Sequence, residues 1–247
     1  MNKKRGFTLI ELLISLSLMI IIIGALVIIF DGVTGMMTTT ENRMFIFQNA
    51  RAGLNNLEKD LKNTQDNNDH IFTINNPQND TSPHLLMKFL STTSFMNSSS
   101  DDVEPEIVTS EARIFYYLEE KNNRWTLKRH IVDAIAKDVN GLPVPDPDPV
   151  NESYEHTLAN DIVCQFIAEE NSNNIVKPSF QIDYFAFDTS NGQIQVIRPN
   201  TIVFNNDIDD PLTKFPFAIR LNADLTDERG RLTRTFSKVV QLLITQD

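Results

Sequence analysis

An uninterrupted apolar run near the N-terminus constrains this 247-residue chain more than any other feature. The run reads FTLIELLISLSLMIIIIGALVIIF, extends from Phe7 to Phe30 and holds one charged residue, Glu11. Because an α-helix rises about 1.5 Å per residue, a run of this length matches a hydrocarbon core of about 30 Å. The sequence therefore predicts one membrane-spanning helix over residues 7–30.

The charges that flank this run predict its orientation. Lys3, Lys4 and Arg5 precede the run, whereas Asp31 and Glu41 follow it. Basic residues are retained on the cytoplasmic side of a membrane. We therefore expect a single-pass protein of the inner (cytoplasmic) membrane, with a cytoplasmic N-terminus and a C-terminal domain on the periplasmic or extracytoplasmic side.

A cleavable secretory signal peptide is the competing interpretation of a basic start followed by an apolar run. The apolar region of such a peptide is only about 7–15 residues long and ends in a cleavage site of small residues. Here the run is longer and leads into Phe30, Asp31 and Gly32, and the small residue Gly6 precedes it. This order suggests trimming on the cytoplasmic side, with the apolar helix retained.

The stretch KRGFTLIELL, residues 4–13, resembles the class III signal of type IV pilins and type II secretion pseudopilins. The resemblance implies cleavage between Gly6 and Phe7 by a membrane-embedded prepilin peptidase, N-methylation of Phe7 and a role for Glu11 in subunit assembly. It also implies partners: homologous pilin-like subunits in a filament tip, the prepilin peptidase, and an inner-membrane assembly platform with its ATPase.

Glu11 needs a physical explanation, because an ionisable side chain inside a membrane span is costly and is usually functional. Cleavage after Gly6 would turn the amide nitrogen of Phe7 into a basic amine that is protonated near neutral pH. A neighbouring subunit's Glu11 can pair with that cation and set the register of adjacent helices. Two alternatives stay open: Glu11 snorkels to the interface, or it pairs with Phe7 of its own chain.

The helical pattern continues beyond the membrane span. Apolar residues recur at spacings of three, four or multiples of these, with charges between them, and no proline occurs before Pro77. This periodicity predicts that residues 31–63 are an amphipathic continuation of the same helix. We expect its apolar stripe to pack on the protein's own C-terminal domain; the stripe consists of Val33, Met36, Met37, Met44, Phe47, Leu54, Leu57 and Leu61.

Residues 64–247 have a different pattern, of short strands separated by polar loops. Residues 114–118 and 125–127 are predicted to form a hairpin, and residues 180–186 and 217–225 alternate apolar with polar side chains, as half-buried strands do. A turn at 227–231 leads into a final strand at 236–244. Residues 1–6 are predicted to be a leader that is removed. The rest of the sequence predicts a pilin-like α+β fold, in which a long N-terminal helix packs on a C-terminal antiparallel sheet.

Three further stretches are similar to larger minor pilin-like proteins: Asn49 to Leu61, Phe215 to Leu221 and Thr235 to Val240. They resemble the J-class minor pseudopilins of type II secretion and the W-class minor pilins. The resemblance implies a minor subunit at or near the filament tip. The J-class assignment is preferred, and a W-like minor pilin that primes type IV pilus assembly is the alternative.

The rest of the sequence offers little chemistry. The chain has 33 acidic against 22 basic residues, which argues against nucleic-acid binding. The single cysteine, Cys164, excludes an internal disulfide, and the four histidines are dispersed without a catalytic or metal-binding spacing. We expect no enzymatic activity and no cofactor, and keep a signal-anchored exported enzyme and an adhesin as less favoured alternatives.

Two acidic clusters have the oxygen ligands that calcium prefers. One comprises Asp207, Asp209 and Asp210, and the other comprises Asp224, Asp227 and Glu228. Neither follows the spacing of an EF-hand loop. Because aspartate is common in turns, the preferred interpretation is that both clusters are solvated turn residues, with calcium binding as the alternative.

Overall fold

The computed structural model describes residues 8–64, 72–78, 82–97, 106–122, 124–134, 157–172, 175–188, 192–204, 215–228 and 230–242. One helix, α1, extends without a break over Leu9–Lys62. The chain divides into two compact units, Met1–Phe45 and Ile46–Asp247. The second unit therefore includes the last turns of the helix, whereas the sequence pattern placed the start of the globular domain at residue 64.

Twelve strands follow the helix in the described residues. All the pairings between them are antiparallel. Their bounds are β1 Phe72–Asn75, β2 His84–Asn97, β3 Glu106–Glu120, β4 Trp125–Asp133, β5 Thr157–Ile167, β6 Glu169–Ser172, β7 Ile175–Pro178, β8 Phe180–Asp188, β9 Gln193–Ile197, β10 Thr201–Phe204, β11 Ala218–Thr226 and β12 Thr233–Gln241.

Ten of these strands form one sheet, in the order β10-β1-β2-β3-β4-β5-β11-β8-β9, with β12 paired to β11. The strands β6 and β7 form a separate hairpin. A long N-terminal helix followed by a large antiparallel sheet confirms the predicted α+β, pilin-like fold. Strand β11 pairs with both β5 and β8. One sheet therefore contains both the early meander, β1 to β5, and the later strands β8, β11 and β12.

The predicted strands correspond to observed ones. The hairpin around residues 114–127 is β3 and β4, which pair from Ala112 with Asp133 to Glu120 with Trp125. The terminal hairpin is β11 and β12, and its second strand begins at Thr233, earlier than the predicted residue 236. Cys164 lies in β5, where its side chain and those of Val163 and Ile167 are buried.

The hydrophobic core lies between the C-terminal turns of α1 and one face of the sheet. From the helix it receives Ile46, Ala50, Leu54, Leu57 and Leu61. Strand residues at alternate positions complete it, as expected for a sheet that buries one face. The largest side chains buried there belong to Trp125, Tyr116, Tyr184, Phe72, Phe89 and Phe180.

The buried stripe of the helix differs from the predicted one. Leu54, Leu57 and Leu61 are buried as expected and Met44 is 60% exposed. Phe47 is 56% exposed but packs edge-to-face on Phe236 of β12, with the ring centroids 5.5 Å apart. The observed stripe instead consists of Ile46, Ala50, Gly53, Leu54, Leu57, Asp60 and Leu61. Two small residues and one carboxylate belong to it, so a search for large apolar side chains could not place it correctly.

Gly53 allows close contact between the helix and β5. A Cβ atom built at this position would lie 2.7 Å from Cys164 Cβ and 3.0 Å from the carbonyl oxygen of Val163. The second neighbour is backbone and cannot rotate away. The absence of a side chain at Gly53 therefore sets how closely α1 approaches the sheet.

We predict that Gly53→Ala destabilises the protein by about 1–3 kcal/mol, because overpacking at a helix–strand contact forces the backbone apart. Thermal or urea unfolding of the full-length chain in detergent checks this, with emission from Trp125, the single tryptophan, as the signal. Gly35→Ala is the matched control, since a Cβ there meets nothing within 4 Å. Equal stability of the two variants would contradict the close-packing argument.

Candidate processing and assembly site

Of the three residues proposed for processing and assembly, the structure describes Glu11. Gly6 and Phe7 lie outside the described residues. Thr8 is the residue immediately before the helix, and Glu11 lies in the first turn. The structure therefore describes Glu11 and its surroundings but does not show the cleavage site itself.

Thr8 and Glu11 form a capping box. The backbone N–H and the hydroxyl of Thr8 each donate a hydrogen bond of 3.0 Å to Glu11 Oε2. The backbone N–H of Glu11 donates in return to Thr8 Oγ1, at 3.4 Å. Because the first turn of a helix has no intrahelical partners for its N–H groups, this exchange satisfies donors that an apolar environment would leave unpaired.

This arrangement adds a local role for Glu11 that sequence reasoning missed. The expected partner of Glu11 was the nitrogen of Phe7, from a neighbouring subunit or from the same chain. The signal was present in the sequence, because threonine followed three residues later by glutamate is the pattern of a capping box. A carboxylate has several acceptor positions, so capping leaves Glu11 able to accept a further bond from a cation.

Other polar side chains in the apolar part of the helix bond to their own helix. Ser15 Oγ donates to the carbonyl of Glu11 at 2.7 Å, and Ser17 Oγ donates to the carbonyl of Ile14 at 2.8 Å. Thr34 does the same with the carbonyl of Phe30, at 2.9 Å. Hydroxyls that bond back to the preceding turn can lie in a membrane without an outside partner.

The surface of α1 over residues 9–30 is apolar and exposed. Leu9 is 79% exposed, Ile28 is 75% exposed and Phe30 is 71% exposed. α1 is the one helix in the described part of the chain that is long and apolar enough to cross a membrane, with a mean hydropathy of 3.1 over its most apolar window. This surface fits membrane anchoring.

A buried carboxylate lies near the other end of the helix. Asp60 is 1% exposed and accepts hydrogen bonds from three side chains. Arg129 donates through Nε at 2.6 Å and Nη2 at 2.8 Å, Tyr116 donates its hydroxyl at 2.6 Å, and Thr93 donates at 2.9 Å. We call these four residues the Asp60 cluster; it joins the last turn of α1 to β2, β3 and β4.

The electrostatics of the Asp60 cluster favour one charge state. Burial raises the pKa of the Tyr116 hydroxyl well above its ordinary value, and the charge of Asp60 raises it further. Burial acts to lower the pKa of Arg129, but the charge of Asp60 and its hydrogen bonds raise it overall. Tyr116 therefore stays a neutral donor and Arg129 stays a cation.

Two more polar contacts connect the helix to the sheet. Asn49 exchanges hydrogen bonds with the backbone of Gln165 in β5: its amide donates to the Gln165 carbonyl, and its Oδ1 accepts from the Gln165 N–H at 2.9 Å. Lys238 in β12 donates to Asn55 Oδ1 at 2.7 Å and forms an ion pair with Glu58. With the Asp60 cluster, these contacts connect the last helical turns to β2, β3, β4, β5 and β12.

Two of the four histidines lie in the described part of the chain. His70 and His156 lie outside the described residues, and burial lowers the pKa of both His84 and His130. A cleft of about 470 Å³ lies where β4, β5 and β11 meet, with the Arg124 guanidinium 4.8 Å above the ring of Phe166. Its described lining contains no histidine, cysteine, serine or lysine.

The acidic clusters considered for calcium have different outcomes. Asp207, Asp209 and Asp210 lie outside the described residues. In the other cluster, Asp224 accepts from Ser179 Oγ at 2.7 Å, and Asp227 Oδ1 accepts from the N–H groups of Arg231 and Leu232 at 2.6 and 3.1 Å. Among the residues that the structure describes, no group of three or more His, Cys, Asp or Glu is placed to hold a metal ion.

An apolar N-terminal helix followed by a large antiparallel sheet is the architecture of a pilin-like protein. Residues 1–27 match the family model of the prokaryotic N-terminal methylation motif. The chain thus carries a class III prepilin signal, consistent with the type IV pilin-like family. No curated protein and no solved structure matches the chain.

Three variants separate the capping role of Glu11 from its charge. Glu11→Gln keeps an oxygen acceptor for Thr8 and removes the charge. Thr8→Ala removes the two bonds of the Thr8 hydroxyl and keeps the charge, and Glu11→Ala removes the charge and the two bonds to the Glu11 carboxylate. We expect all three to be inserted and cleaved, since the leader and the apolar run are unchanged. We expect Glu11→Gln and Glu11→Ala to lose incorporation into the filament and Thr8→Ala to retain most of it.

Immunoblots of the membrane fraction and of the sheared filament fraction measure insertion, cleavage and incorporation into the filament. Each variant is compared with the unmodified chain. Full incorporation of Glu11→Gln would show that the charge is not required. A defect in Thr8→Ala as large as that in Glu11→Ala would show that Glu11 acts mainly through the helix cap.

The Asp60 cluster yields a stability prediction. Asp60→Ala leaves the Arg129 cation buried without its anion, and we expect a loss of about 3–5 kcal/mol in the free energy of unfolding. Tyr116→Phe removes one hydrogen bond and should cost only about 1–2 kcal/mol. Lys62→Ala, which breaks an ion pair whose lysine side chain is 47% exposed, should change stability by less than about 1 kcal/mol.

Unfolding of the full-length variants in detergent, followed by Trp125 emission, ranks the three. An Asp60→Ala variant that is no less stable than Tyr116→Phe would mean that the ion pair does not hold the helix to the sheet.

Proposed function

We propose that this chain is a non-enzymatic minor pseudopilin of the J-like class, cleaved after Gly6, methylated at Phe7 and assembled at or near the tip of a type II secretion pseudopilus. The observation that carries the proposal is the methylation motif at residues 1–27. The helix that begins within this motif has an apolar, uncovered surface over residues 9–30, which supports membrane storage followed by helix-to-helix assembly.

The charge change on cleavage is the physical core of the proposal. Removal of residues 1–6 creates a cation at Phe7, at the apolar end of the helix. Glu11 of a neighbouring subunit is the anion that can meet it, and pairing relieves the cost of both charges in a poorly solvated environment. In this scheme Glu11 makes entry into the filament conditional on processing.

The globular unit supports a minor rather than a major subunit. It has a ten-stranded sheet, and three sets of polar contacts hold the last helical turns to that sheet. The stretch Asn49 to Leu61, similar to J-class and W-class proteins, contains the helix residues of these contacts. A W-like minor pilin that primes type IV pilus assembly is the alternative, with the same processing and the same membrane topology.

The further partners of the proposal are homologous pilin-like subunits, the prepilin peptidase and an inner-membrane platform with its ATPase. The domain after the span is placed on the periplasmic or extracytoplasmic side. The proposal includes no cofactor: the carboxylates of Asp224 and Asp227 accept hydrogen bonds within the domain, which supports their role as turn residues. Titration of the purified protein with Ca²⁺ tests the alternative of calcium binding at either acidic cluster.

Mass spectrometry of the N-terminus tests the foundation of this proposal. The full-length chain is produced with and without a prepilin peptidase and recovered from membranes. We expect peptidase-dependent loss of residues 1–6 and one added methyl group on Phe7. An intact Met1 in the presence of the peptidase, or cleavage beyond residue 30, would overturn it.

The identity of copurifying pilin-like subunits then distinguishes the two assignments. Recovery with type II secretion pseudopilins supports the J-like role, whereas recovery with pilus subunits supports the W-like role. A Gly6→Ala variant, in which cleavage is expected to fail, serves as the control, because an uncleaved chain should recover neither set.

A further inference from the structure

A cavity of about 380 Å³ opens on the outer face of the sheet, the face of β8, β11 and β12 that lies opposite the core. It shares no described lining residue with the cleft at Arg124. Its floor is formed by side chains that alternate along the strands with residues facing the core. These are Gln181 of β8, Asn222 and Asp224 of β11 and Thr235 of β12. Eight of the nine described lining residues are polar or charged, so the cavity suits a polar ligand.

Opposite charges lie at the two ends of this cavity. Arg220, Asn222 and Asp224 occupy every second position of β11 and therefore share the outer face. A strand rises about 3.3 Å per residue, so the Cα atoms of Arg220 and Asp224 are about 13 Å apart. Gln181 pairs with Asn222 across the two strands. The cavity thus has a cationic end, a region of amides in the middle and an anionic end.

Arg198 and Arg220 form the cationic end, and both bind the carboxylate of Asp183. Arg198 Nε lies 2.7 Å from Asp183 Oδ1, and Arg220 Nη2 lies 2.6 Å from Asp183 Oδ2. Burial acts to raise the pKa of the Asp183 carboxyl, but the hydrogen bonds from Arg198 and Arg220 lower it overall. Asp183 is therefore one anion shared by two cations, so this end has an excess of one positive charge.

Both arginines keep donors for a ligand. Each one bonds to Asp183 through Nε and Nη2, and in the described part of the chain neither Nη1 donates to a protein group. The Arg198 side chain is 54% exposed and that of Arg220 is 35% exposed. A guanidinium is planar, and its bonds to Asp183 fix that plane. The remaining N–H groups are therefore held in a set orientation, which favours binding of a carboxylate.

Asp224 forms the anionic end. Its Oδ2 accepts from Ser179 Oγ at 2.7 Å, and within the described residues its Oδ1 accepts from no protein group. A third carboxylate, Glu170 of β6, also lines the cavity, and its Oε2 lies 3.8 Å from Lys177 Nζ. Because Lys177 offsets Glu170, the anion left without a cation among the described lining residues is Asp224. Its charge balances the positive excess at the arginines.

We propose that this cavity binds a short peptide by its two ends. The C-terminal carboxylate lies on Arg198 and Arg220, and the N-terminal ammonium lies on Asp224. An extended tripeptide spans about 10 Å, at about 3.5 Å per residue, and so fits between the two charged ends. Its peptide groups lie beside the amide of Gln181, which can both donate and accept hydrogen bonds.

Charge balance favours a zwitterion over a simple ion. A lone anion would leave Asp224 unpaired and would approach a chain whose net charge is −11. A lone cation would bind Asp224 but would leave the donors of Arg198 and Arg220 unused. A peptide with two free ends meets both charges and adds no net charge to the cavity, which is electrostatic complementarity of the kind that gives specificity.

This binding function is separate from the pseudopilin assignment. None of the described residues that line the cavity belongs to α1 or to the methylation motif at residues 1–27. A failure of cleavage or of filament assembly would therefore leave the peptide site standing. An absence of peptide binding would likewise leave the pseudopilin assignment standing.

Isothermal titration calorimetry of the full-length chain in detergent tests the site with triglycine and two capped forms of it. N-acetyl-triglycine lacks the ammonium, and triglycine amide lacks the carboxylate. We expect each capped form to bind about tenfold more weakly than triglycine, because each one loses a charge-assisted hydrogen bond. Equal affinity for the three peptides, or no binding of triglycine, would overturn the proposal.

Glycine tests the distance between the two ends. Its ammonium and carboxylate belong to a single residue, so it cannot reach the arginines and Asp224 at the same time. We expect glycine to bind at least about tenfold more weakly than triglycine, since it meets one charged end at a time. Glycine that binds as tightly as triglycine would contradict a contact at both ends and overturn the proposal.

Two variants assign the ends. Arg198→Gln leaves Arg220 on Asp183 and removes the positive excess, whereas Asp224→Asn removes the negative charge and keeps an oxygen acceptor for Ser179. We expect Arg198→Gln to weaken triglycine binding about tenfold and to leave binding of triglycine amide unchanged. Asp224→Asn should weaken triglycine binding about tenfold and leave binding of N-acetyl-triglycine unchanged.

Arg234→Gln is the matched control, because it removes one positive charge from β12 at a position that is not among the described lining residues. It should leave the affinity for every peptide unchanged, and Trp125 emission confirms that each variant is folded. Equal weakening of all three peptides by Arg198→Gln and by Asp224→Asn would mean that these residues act through the fold. Unchanged triglycine binding in both variants would place the peptide elsewhere. Either result would overturn the proposal.

Discussion

The globular unit depends on one buried ion pair, between Asp60 of the helix and Arg129 of β4. A carboxylate in the last turn of a helix is unfavourable, because the C-terminal end of the helix dipole is already negative. Arg129 offsets this cost only when the helix lies on the sheet. The same contact brings Leu57 and Leu61 onto the core face, so electrostatic and apolar packing occur together or not at all.

The sequence predicts the repeating elements of this fold better than the contacts between them. Alternation of apolar and polar residues was enough to locate β8 and β11, because the period of two survives in each strand. The predicted helix stripe included the exposed Met44 and left out Gly53 and Asp60, since neither of these two has an apolar side chain. No local sequence pattern links Asp60 to Arg129, because the two residues are far apart in the sequence and become neighbours only when the sheet has formed.

The candidate processing and assembly site was likewise predictable where its residues are neighbours in the sequence. The basic leader, Gly6, Phe7 and the apolar run follow one another in the chain, so a linear motif identifies them. The bonds between Thr8 and Glu11 are local as well, and their pattern is legible in the sequence. One helix thus has a carboxylate near each end, with different surroundings: Glu11 is exposed within an apolar surface, and Asp60 is enclosed by three partners.

The contact between Gly53 and Cys164 has a consequence for the chemistry of the chain. Burial raises the pKa of the Cys164 thiol to about 12, so the folded protein holds it as an unreactive thiol near neutral pH. The thiol is covered because the helix lies against β5 at Gly53. Before the helix docks, the same sulfur is an ordinary cysteine thiol that can be oxidised and can form mixed disulfides. Packing of the helix against β5 at Gly53 therefore protects the Cys164 thiol from oxidation.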